Sequence, residues 1–304
     1  MAKIIENDIR IRDVDTKNIM TKSSLPVGGY SVNPYVGCTH GCKYCYASFM
    51  KRFTGHTEPW GIFLDVKHWP KIQNPRKYQG QRVVIGSVTD GYLPQEECFQ
   101  NTRKLLEQLK DSGAEILICT KSDLVVRDIN LLREIGKVTV SWSINTLDED
   151  FRADMDKAVS IARRLTAMKQ VYDAGIRTAC FISPVFPGIT DFEAIFHRVK
   201  SQCDLVWLEN LNLRGGFKQE ILNYIGAKYP YLLPVYHAIY NKKDRSYFQA
   251  LEKRAAKLAR ENGCPFVDNE LPYGRAKPGH PVIVDYFYHE EIRGSENTGE
   301  RKQN

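Results

Sequence analysis

The chain has 304 residues and a net charge of +7, with 42% hydrophobic and 26% charged residues, the balance of an ordinary globular enzyme. It holds no apolar run of about 18 residues, which excludes a membrane-spanning helix. The charged start Met1–Asp8 excludes a secretory signal, and eight cysteines without regular pairing point to a reduced, cytoplasmic setting. The moderate positive charge suits a nucleic acid, an acidic redox protein, or simply a basic solvated surface.

Residues 1–27 read as an N-terminal extension, followed by a strand over Ser31–Val36. Next comes Gly37-Cys38-Thr39-His40-Gly41-Cys42-Lys43-Tyr44-Cys45-Tyr46-Ala47, with the spacing C-x3-C-x2-C. Three thiolates this close can hold three irons of a cubane 4Fe–4S cluster and leave the fourth iron open. The alternative is zinc, with His40 or His56 completing the set, although no second C-x2-C pair is present. A redox disulfide needs only two of the three. The stretch Lys51–Tyr78 interleaves Lys51, Arg52, His56, Trp60, Lys67, His68, Trp69 and Arg76, as a nucleic-acid or peptide track does. It reads equally as a cover over the cysteine loop, part of it buried at Phe63, Leu64 and Val66.

Strands and helices then alternate. Arg82–Ser87 is a strand ending in the turn Thr89-Asp90-Gly91, and a helix opens at Pro94 and carries Phe99, Leu105, Leu106 and Leu109. Ile116–Cys119 is the next strand, ending at Thr120-Lys121-Ser122, and Val125, Ile129 and Leu132 mark a helix. Val138–Ile144 is a strand, and Ile161, Leu165, Met168 and Val171 keep helical spacing. Thr178–Ser183 is a strand stopped by Pro184. Thr190 and Glu193 form a capping box for a helix carrying Phe192, Ile195, Phe196 and Val199. Leu205–Leu208 is the last strong strand. Beyond it, Phe248, Leu251, Ala255 and Leu258 mark a helix, Leu271–Gly274 is turn-rich, and Val282–Tyr288 suits a late strand.

Short, continuously apolar strands separated by helices belong to a parallel sheet buried on both faces. No G-x-G-x-x-G follows the first strand, which argues against a Rossmann site, and polar residues gather at strand C-terminal ends, the active face of β/α barrels. The predicted fold is α/β: a partial (β/α)6 TIM-type barrel over residues 28–228, with the N-terminal segment, a C-terminal extension over 229–292 and a disordered tail over 293–304.

The cysteine spacing resembles the signature of the radical SAM superfamily, whose open iron binds S-adenosylmethionine. The cysteine stretch, Ser87-Val88-Thr89-Asp90, Thr120-Lys121-Ser122, Ser143-Ile144-Asn145-Thr146 and Pro184-Val185-Phe186-Pro187-Gly188 together resemble the branch related to spore photoproduct lyase, termed DNA repair photolyase-like. The chain is also similar to a group of paired radical SAM proteins on mobile elements. The resemblance implies a 4Fe–4S cluster on Cys38, Cys42 and Cys45, S-adenosylmethionine as second cofactor, and a flavodoxin or ferredoxin-type electron donor. It puts Tyr44 near the adenine, Thr89 and Asp90 at the methionyl amino group and ribose, and Lys121 on the methionyl carboxylate. Ser143 then serves the carboxylate or ribose, and the loop from Ile182 and Ser183 packs on adenine. No catalytic side chain is assigned.

One position departs from that branch. Spore photoproduct lyase has a hydrogen-donating cysteine three residues before the aspartate of its second-strand motif, where this chain has Ser87. A serine O–H bond is too strong to serve that way, so thymine-dimer reversal does not carry over. Nucleic acid, a peptide and a small molecule all stay open as substrates, a second radical SAM protein stays open as partner, and a non-catalytic zinc- or cluster-bearing nucleic-acid module is the reading from another class.

Overall fold

The computed structural model describes residues 4–6, 8–23, 28–213, 215–268, 272, 274–285 and 287. The tail from Arg293, and Leu271, Tyr273, Tyr286 and Tyr288 of the expected late turn and strand, lie outside the described residues.

The first third of the chain supplies β1 (Ile4–Glu6), β2 (Ile9–Asp15), β3 (Thr21–Lys22), β4 (Tyr30–Val32), β5 (Tyr35–Val36) and β6 (Phe63–His68). β1, β2, β6 and β5 form a small sheet in that order, with β2 and β6 parallel. The strand expected over Ser31–Val36 is therefore two. Pro34 has no N–H for a ladder, and the Asn33 side chain turns aside to accept from the N–H groups of Val88 (3.0 Å) and Thr89 (3.1 Å). β4 joins the main sheet and β5 the small one.

The main sheet continues with β7 (Arg82–Ile85), helices α1 (Glu96–Phe99) and α2 (Asn101–Leu109), β8 (Glu115–Thr120), α3 (Ile129–Ile135) and β9 (Val138–Ser143). Then follow α4 (Glu149–Met155), α5 (Ile161–Asp173), β10 (Arg177–Val185), α6 (Phe192–Val199) and β11 (Leu205–Asn210). After α7 (Phe217–Lys228), α8 (Leu233–Asn241) and α9 (Ser246–Glu261), β12 (Phe266–Asp268) and β13 (Val282–Asp285) return to the same sheet. Its order is β12-β13-β11-β10-β9-β8-β7-β4-β3, parallel except where β3 meets β4. Among the described residues the two ends do not pair, so the barrel is partial. The six expected strands are present, and β13 and β12 extend them.

Alternation along each strand separates two cores. Val83, Ile85, Ile116, Ile118, Val140, Trp142, Cys180, Ile182, Val206 and Leu208 point outward under Leu105, Leu109, Met168, Val171, Ile195 and Phe196 of the helices. Val84, Leu117, Ala179, Leu205, Trp207 and Val284 meet on the opposite face with Cys119 and Phe181 beside them. Side chains from five strands can share one cluster only if the sheet curls around them. The Trp207 ring lies 4.4 Å from that of Phe181, and its N–H donates to the Ser141 hydroxyl across β10 at 3.3 Å. The lumen is filled, as in closed barrels.

Three local expectations are corrected. The helix opening at Pro94 is broken at Gln100, whose φ is 51°, because the buried Glu96 carboxylate turns back to accept from Thr102 N (2.9 Å) and Arg103 N (3.1 Å). β10 runs through Pro184 to Val185, with a register shift after Ile182. The cap of α6 is Asp191, accepting from Ala194 N at 3.0 Å, while the Thr190 hydroxyl donates to the Asn145 carbonyl at 2.8 Å. Among the described residues no helix is long and apolar enough to cross a membrane.

Candidate active site

The cysteine loop leaves β5 through Gly37, whose φ of +86° and approach to the Phe63 carbonyl leave no room for a side chain. Two tight turns follow, Gly41 N to Cys38 O (3.0 Å) and Cys45 N to Cys42 O (3.1 Å), and they keep Cys42 and Cys45 near enough for their charges to act on Cys38. Cys38 is buried, and Cys42 and Cys45 are half-buried. Burial pushes the Cys38 thiol well up, with Cys42 and Cys45 adding to it, and pushes Cys42 up to about 12 against the pull of Lys121. Burial raises Cys45 as well, with Ala47 N–H and Lys121 opposing. Ionising three adjacent buried thiols is costly without a positive centre among them, and a bound metal reverses that penalty.

The loop is stapled on two sides. On one, Lys43 N donates to Met155 O (3.0 Å), Lys157 N to His40 O (2.8 Å) and Tyr44 Oη to Asp156 Oδ2 (3.3 Å). Asp156 is held in turn by Arg164 at 2.8 Å, and both side chains are 1% exposed. Arg164 also donates to the carbonyls of Val159 (2.9 Å) and Ser143 (3.2 Å), which ties the bracket to the end of β9. On the other side, His40 Nε2 meets Asp90 Oδ2 at 2.9 Å, and Thr39 donates to Gln95 (2.9 Å). Asp90 also accepts from Tyr92 N (2.8 Å), Thr120 Oγ1 (2.8 Å) and Lys121 N (2.7 Å), joining the loop to the ends of β7 and β8. Burial works against its charge, yet His40 and these N–H donors outweigh it and hold the carboxyl below its ordinary range. Gly86, at φ +90°, lets the β7 exit lie against the Cys119 carbonyl.

Tyr44, Asp90, Lys121 and the three cysteines are thus brought together, with Lys121 Nζ 5.7 Å from the Tyr44 ring centre. Burial would lower Lys121, but Cys42 and Asp156 outweigh it and hold the ammonium above its ordinary value. Thr89 is fully buried at the β7 exit, and Ser143 ends β9, half-buried. Ser183, half-buried two residues before the end of β10, donates to the Glu209 carboxylate on β11. Ile182 lies apart: its side chain is fully buried in the outer core. The Tyr44 ring stands edge-on to Phe186 at 5.5 Å, in a cluster with Phe151, Met155 and Leu211. Asp156, Arg164 and Glu209 escape a reading of local motifs, and Asn145 stands inside the Ser143–Thr146 motif without a role assigned to it.

The side chains fit the implied groups. Both ring nitrogens of His56 are engaged, with Glu58 at 3.0 Å and Asp65 at 2.8 Å, and His40 Nε2 holds Asp90. A zinc site gathers its ligands about one ion, and among the described residues no three His, Cys, Asp or Glu side chains are gathered that way. A cubane instead spreads its thiolates over separate irons. Thr89 Oγ1 and Asn145 Nδ2 are buried near strand ends without a partner among the described residues, as polar atoms awaiting a ligand are.

Of the Lys51–Tyr78 stretch, Gly61 and Phe63 lie against Gly41 and Gly37 of the cysteine loop. Phe63 and Leu64 are fully buried in β6, and Trp69 and Tyr78 are buried in the outer core. Its exposed aromatic part is confined to the 3₁₀ helix Tyr46–Phe53 at its start. Tyr92 and Trp142 are core residues, their polar atoms bound to Asp128 (3.1 Å) and the Ser122 carbonyl (2.9 Å).

The Radical SAM superfamily profile matches residues 32–199. An uncharacterized protein of Methanocaldococcus jannaschii is 32% identical over 228 residues, covering 74% of this chain and 86% of the relative. A protein named Radical SAM Nalpha-GlyT isomerase, from Pseudomonas phage M6, is 26% identical over 191 residues, covering 62% of this chain and 37% of the phage protein. Among solved structures, spore photoproduct lyase complexed with dinucleoside spore photoproduct superposes with a TM-score of 0.53 at 16% identity. That match covers 72% of this chain and 66% of the lyase, just under two thirds of its length, and bears on the fold.

Proposed function

The chain belongs to the radical SAM superfamily and is an enzyme of that type, and from that premise we propose that it cleaves S-adenosylmethionine at a 4Fe–4S cluster held by Cys38, Cys42 and Cys45 to modify a nucleic-acid substrate. The observation that carries the cofactor reading is the pair of tight turns that sets one buried and two half-buried thiols on a short loop beside Lys121, while both ring nitrogens of His56 are engaged with Glu58 and Asp65. Cys38, Cys42 and Cys45 would hold the cluster, which would supply the single electron needed to cleave S-adenosylmethionine into methionine and a 5′-deoxyadenosyl radical able to take a hydrogen atom from the substrate.

The chain's own residues bind, orient and shield. Lys121 keeps its charge beside Cys42 and is suited to a carboxylate, a charge-assisted contact. Thr89 and Asn145 offer the unmet hydroxyl and amide, with Ser143 and Ser183 on neighbouring strand ends. The packed lumen under Trp207 and the Tyr44–Phe186–Phe151 cluster beside the loop exclude water.

The basic charge supports the nucleic-acid class, as does the dinucleoside spore photoproduct with which the lyase of similar fold is complexed. Ser87 Oγ is hydrogen-bonded to the Ser31 hydroxyl and the Asn33 amide, and its O–H remains a poor hydrogen-atom source, so dimer reversal is not proposed. A flavodoxin or ferredoxin-type protein would supply the electron, and a second radical SAM protein is the proposed partner. Anaerobic reconstitution should give a brown protein with about four irons per chain, as the cubane requires, that makes 5′-deoxyadenosine with dithionite. A colourless zinc protein that leaves S-adenosylmethionine intact refutes the reading.

A further inference from the structure

Five large hydrophobic side chains stand exposed among the described residues, and three of them share one eight-residue 3₁₀ helix, Tyr46–Phe53. Tyr46 is 53% exposed, Phe49 46% and Phe53 65%. Residues three apart eclipse on a 3₁₀ helix, which aligns Tyr46, Phe49 and Arg52 along one edge. The Arg52 guanidinium lies 5.4 Å from the Phe49 ring centre and 4.6 Å from that of Phe53, so three flat groups are set side by side at the surface. Arg52 has no carboxylate partner among the described residues. Residues 16–57 hold no Asp or Glu but five Lys or Arg, five of the chain's net seven positive charges.

Water-exposed rings of this number are unfavourable without an occupant, and the surrounding charge selects an anionic one. The strip also has a direction. The Tyr46 hydroxyl donates to the Ser87 carbonyl just past the end of β7, so its first ring stands at the mouth where a substrate must enter. A reductant docking for electron transfer needs nearness to the cysteines but not to that mouth. Flat exposed rings interleaved with cations bind unpaired bases by stacking and phosphates by charge.

We propose that the Tyr46–Phe53 helix is a stacking platform for single-stranded nucleic acid, leading a strand to the barrel mouth beside Ser87. This rests on the nucleic-acid reading of the substrate given above. The test uses the anaerobically reconstituted full chain and a fluorescein-labelled twelve-nucleotide oligo-dT, titrated by anisotropy at several salt concentrations. The parent should bind with an affinity that falls as salt rises, and Phe49→Ala/Phe53→Ala should weaken binding by about tenfold or more. Arg52→Ala should reduce the logarithmic salt slope by about 0.7. Tyr231→Ala removes a ring 72% exposed elsewhere and should change nothing. Unchanged affinity in the folded double variant, or equal weakening by Tyr231→Ala, overturns the platform. So does a double variant that binds oligo-dT normally but is no longer reduced by flavodoxin, since the strip would then dock an acidic redox protein. Dithionite-driven 5′-deoxyadenosine release by the parent reports separately on the cleavage reading. Release without oligonucleotide binding by the parent sinks the nucleic-acid reading and the platform with it, binding by the parent that the double variant keeps sinks only the platform, and binding without release sinks only the cleavage.

Discussion

Replacing Arg164 with alanine should destabilise the protein and loosen the cysteine loop in one step. The guanidinium is 1% exposed and makes three contacts, to Asp156 at 2.8 Å and to the carbonyls of Val159 (2.9 Å) and Ser143 (3.2 Å). Its removal strands a buried carboxylate. Asp156 keeps the Ala158 N–H at 3.0 Å and the Tyr44 hydroxyl at 3.3 Å, and the nearest remaining guanidinium, that of Arg152, is 4.0 Å away. Breaking a buried pair from one side costs about 3–5 kcal/mol. At the low end of roughly 2–4 °C per kcal/mol for long chains, that lowers Tm by about 6–10 °C. Met155, Asp156 and Lys157 hold the cysteine loop at Lys43, Tyr44 and His40 through the same bracket, so iron retained after reconstitution should fall too. Thermal unfolding by circular dichroism and an iron assay, repeated for Asp156→Ala and the double variant, complete a cycle whose coupling should exceed about 1.5 kcal/mol. A single-variant loss below about 1 kcal/mol, or strict additivity, would refute the argument that this pair carries the loop.

Alanine at Cys38, Cys42 or Cys45 should abolish iron binding and 5′-deoxyadenosine release, whereas alanine at Cys180 or Cys264 should leave about four irons per chain; cluster loss from a distant change in a folded protein contradicts the three-ligand assignment. Lys121→Ala should keep the iron but weaken S-adenosylmethionine binding about tenfold to hundredfold, the worth of a lost charge-assisted contact. An unchanged titration by EPR of the reduced cluster removes Lys121 from that role. The Arg10 hydrogen bond beside Glu58 lowers its carboxyl from the ordinary 4.5 to about 2. A depressed folded value stabilises above the ordinary one and fades as pH falls toward about 2, so Glu58→Gln should flatten the acid limb of Tm between those values; an NMR titration of Glu58 near 4.5 would contradict this. The unmodified protein should form 5′-deoxyadenosine yet leave spore-photoproduct DNA unrepaired, since Ser87 offers only a hydroxyl; efficient loss of the photoproduct in chromatography overturns that reasoning.

The parallel strands are legible because each is a short unbroken apolar run, and the cysteine loop because its spacing is wholly local. The small sheet is not. β2 reads Ile-Arg-Ile-Arg-Asp-Val-Asp, a charged alternation that becomes a strand only by pairing with β6 some 50 residues later, the register joining Arg10 to Phe63. Arg164 sits beside Leu165 on a helix whose periodicity assigns cations to solvent, and its partner lies in the loop before that helix. β12 and β13 are separated from β11 by three helices, so the apolar run at Val282 carries no sign of which edge it joins. Lys121 is a strand-end lysine in isolation, and only the family resemblance, and then its place beside Cys42, gives it a role.

β13 lies between β11 and β12, although it follows both along the chain. A nascent polypeptide leaves the ribosome from its N-terminal end, so β11 and β12 are both made before the strand that separates them. Until residues 282–285 emerge, β11 presents a bare edge of N–H and C=O groups, and the lumen around Trp207 lacks Val284. β12, whose sheet neighbour is β13, has nothing to pair with in the meantime. Assembly of this barrel therefore cannot proceed strand by strand as the chain is made; its last step is an insertion, and the interval before it is when the half-built sheet is open to pairing with a neighbouring chain.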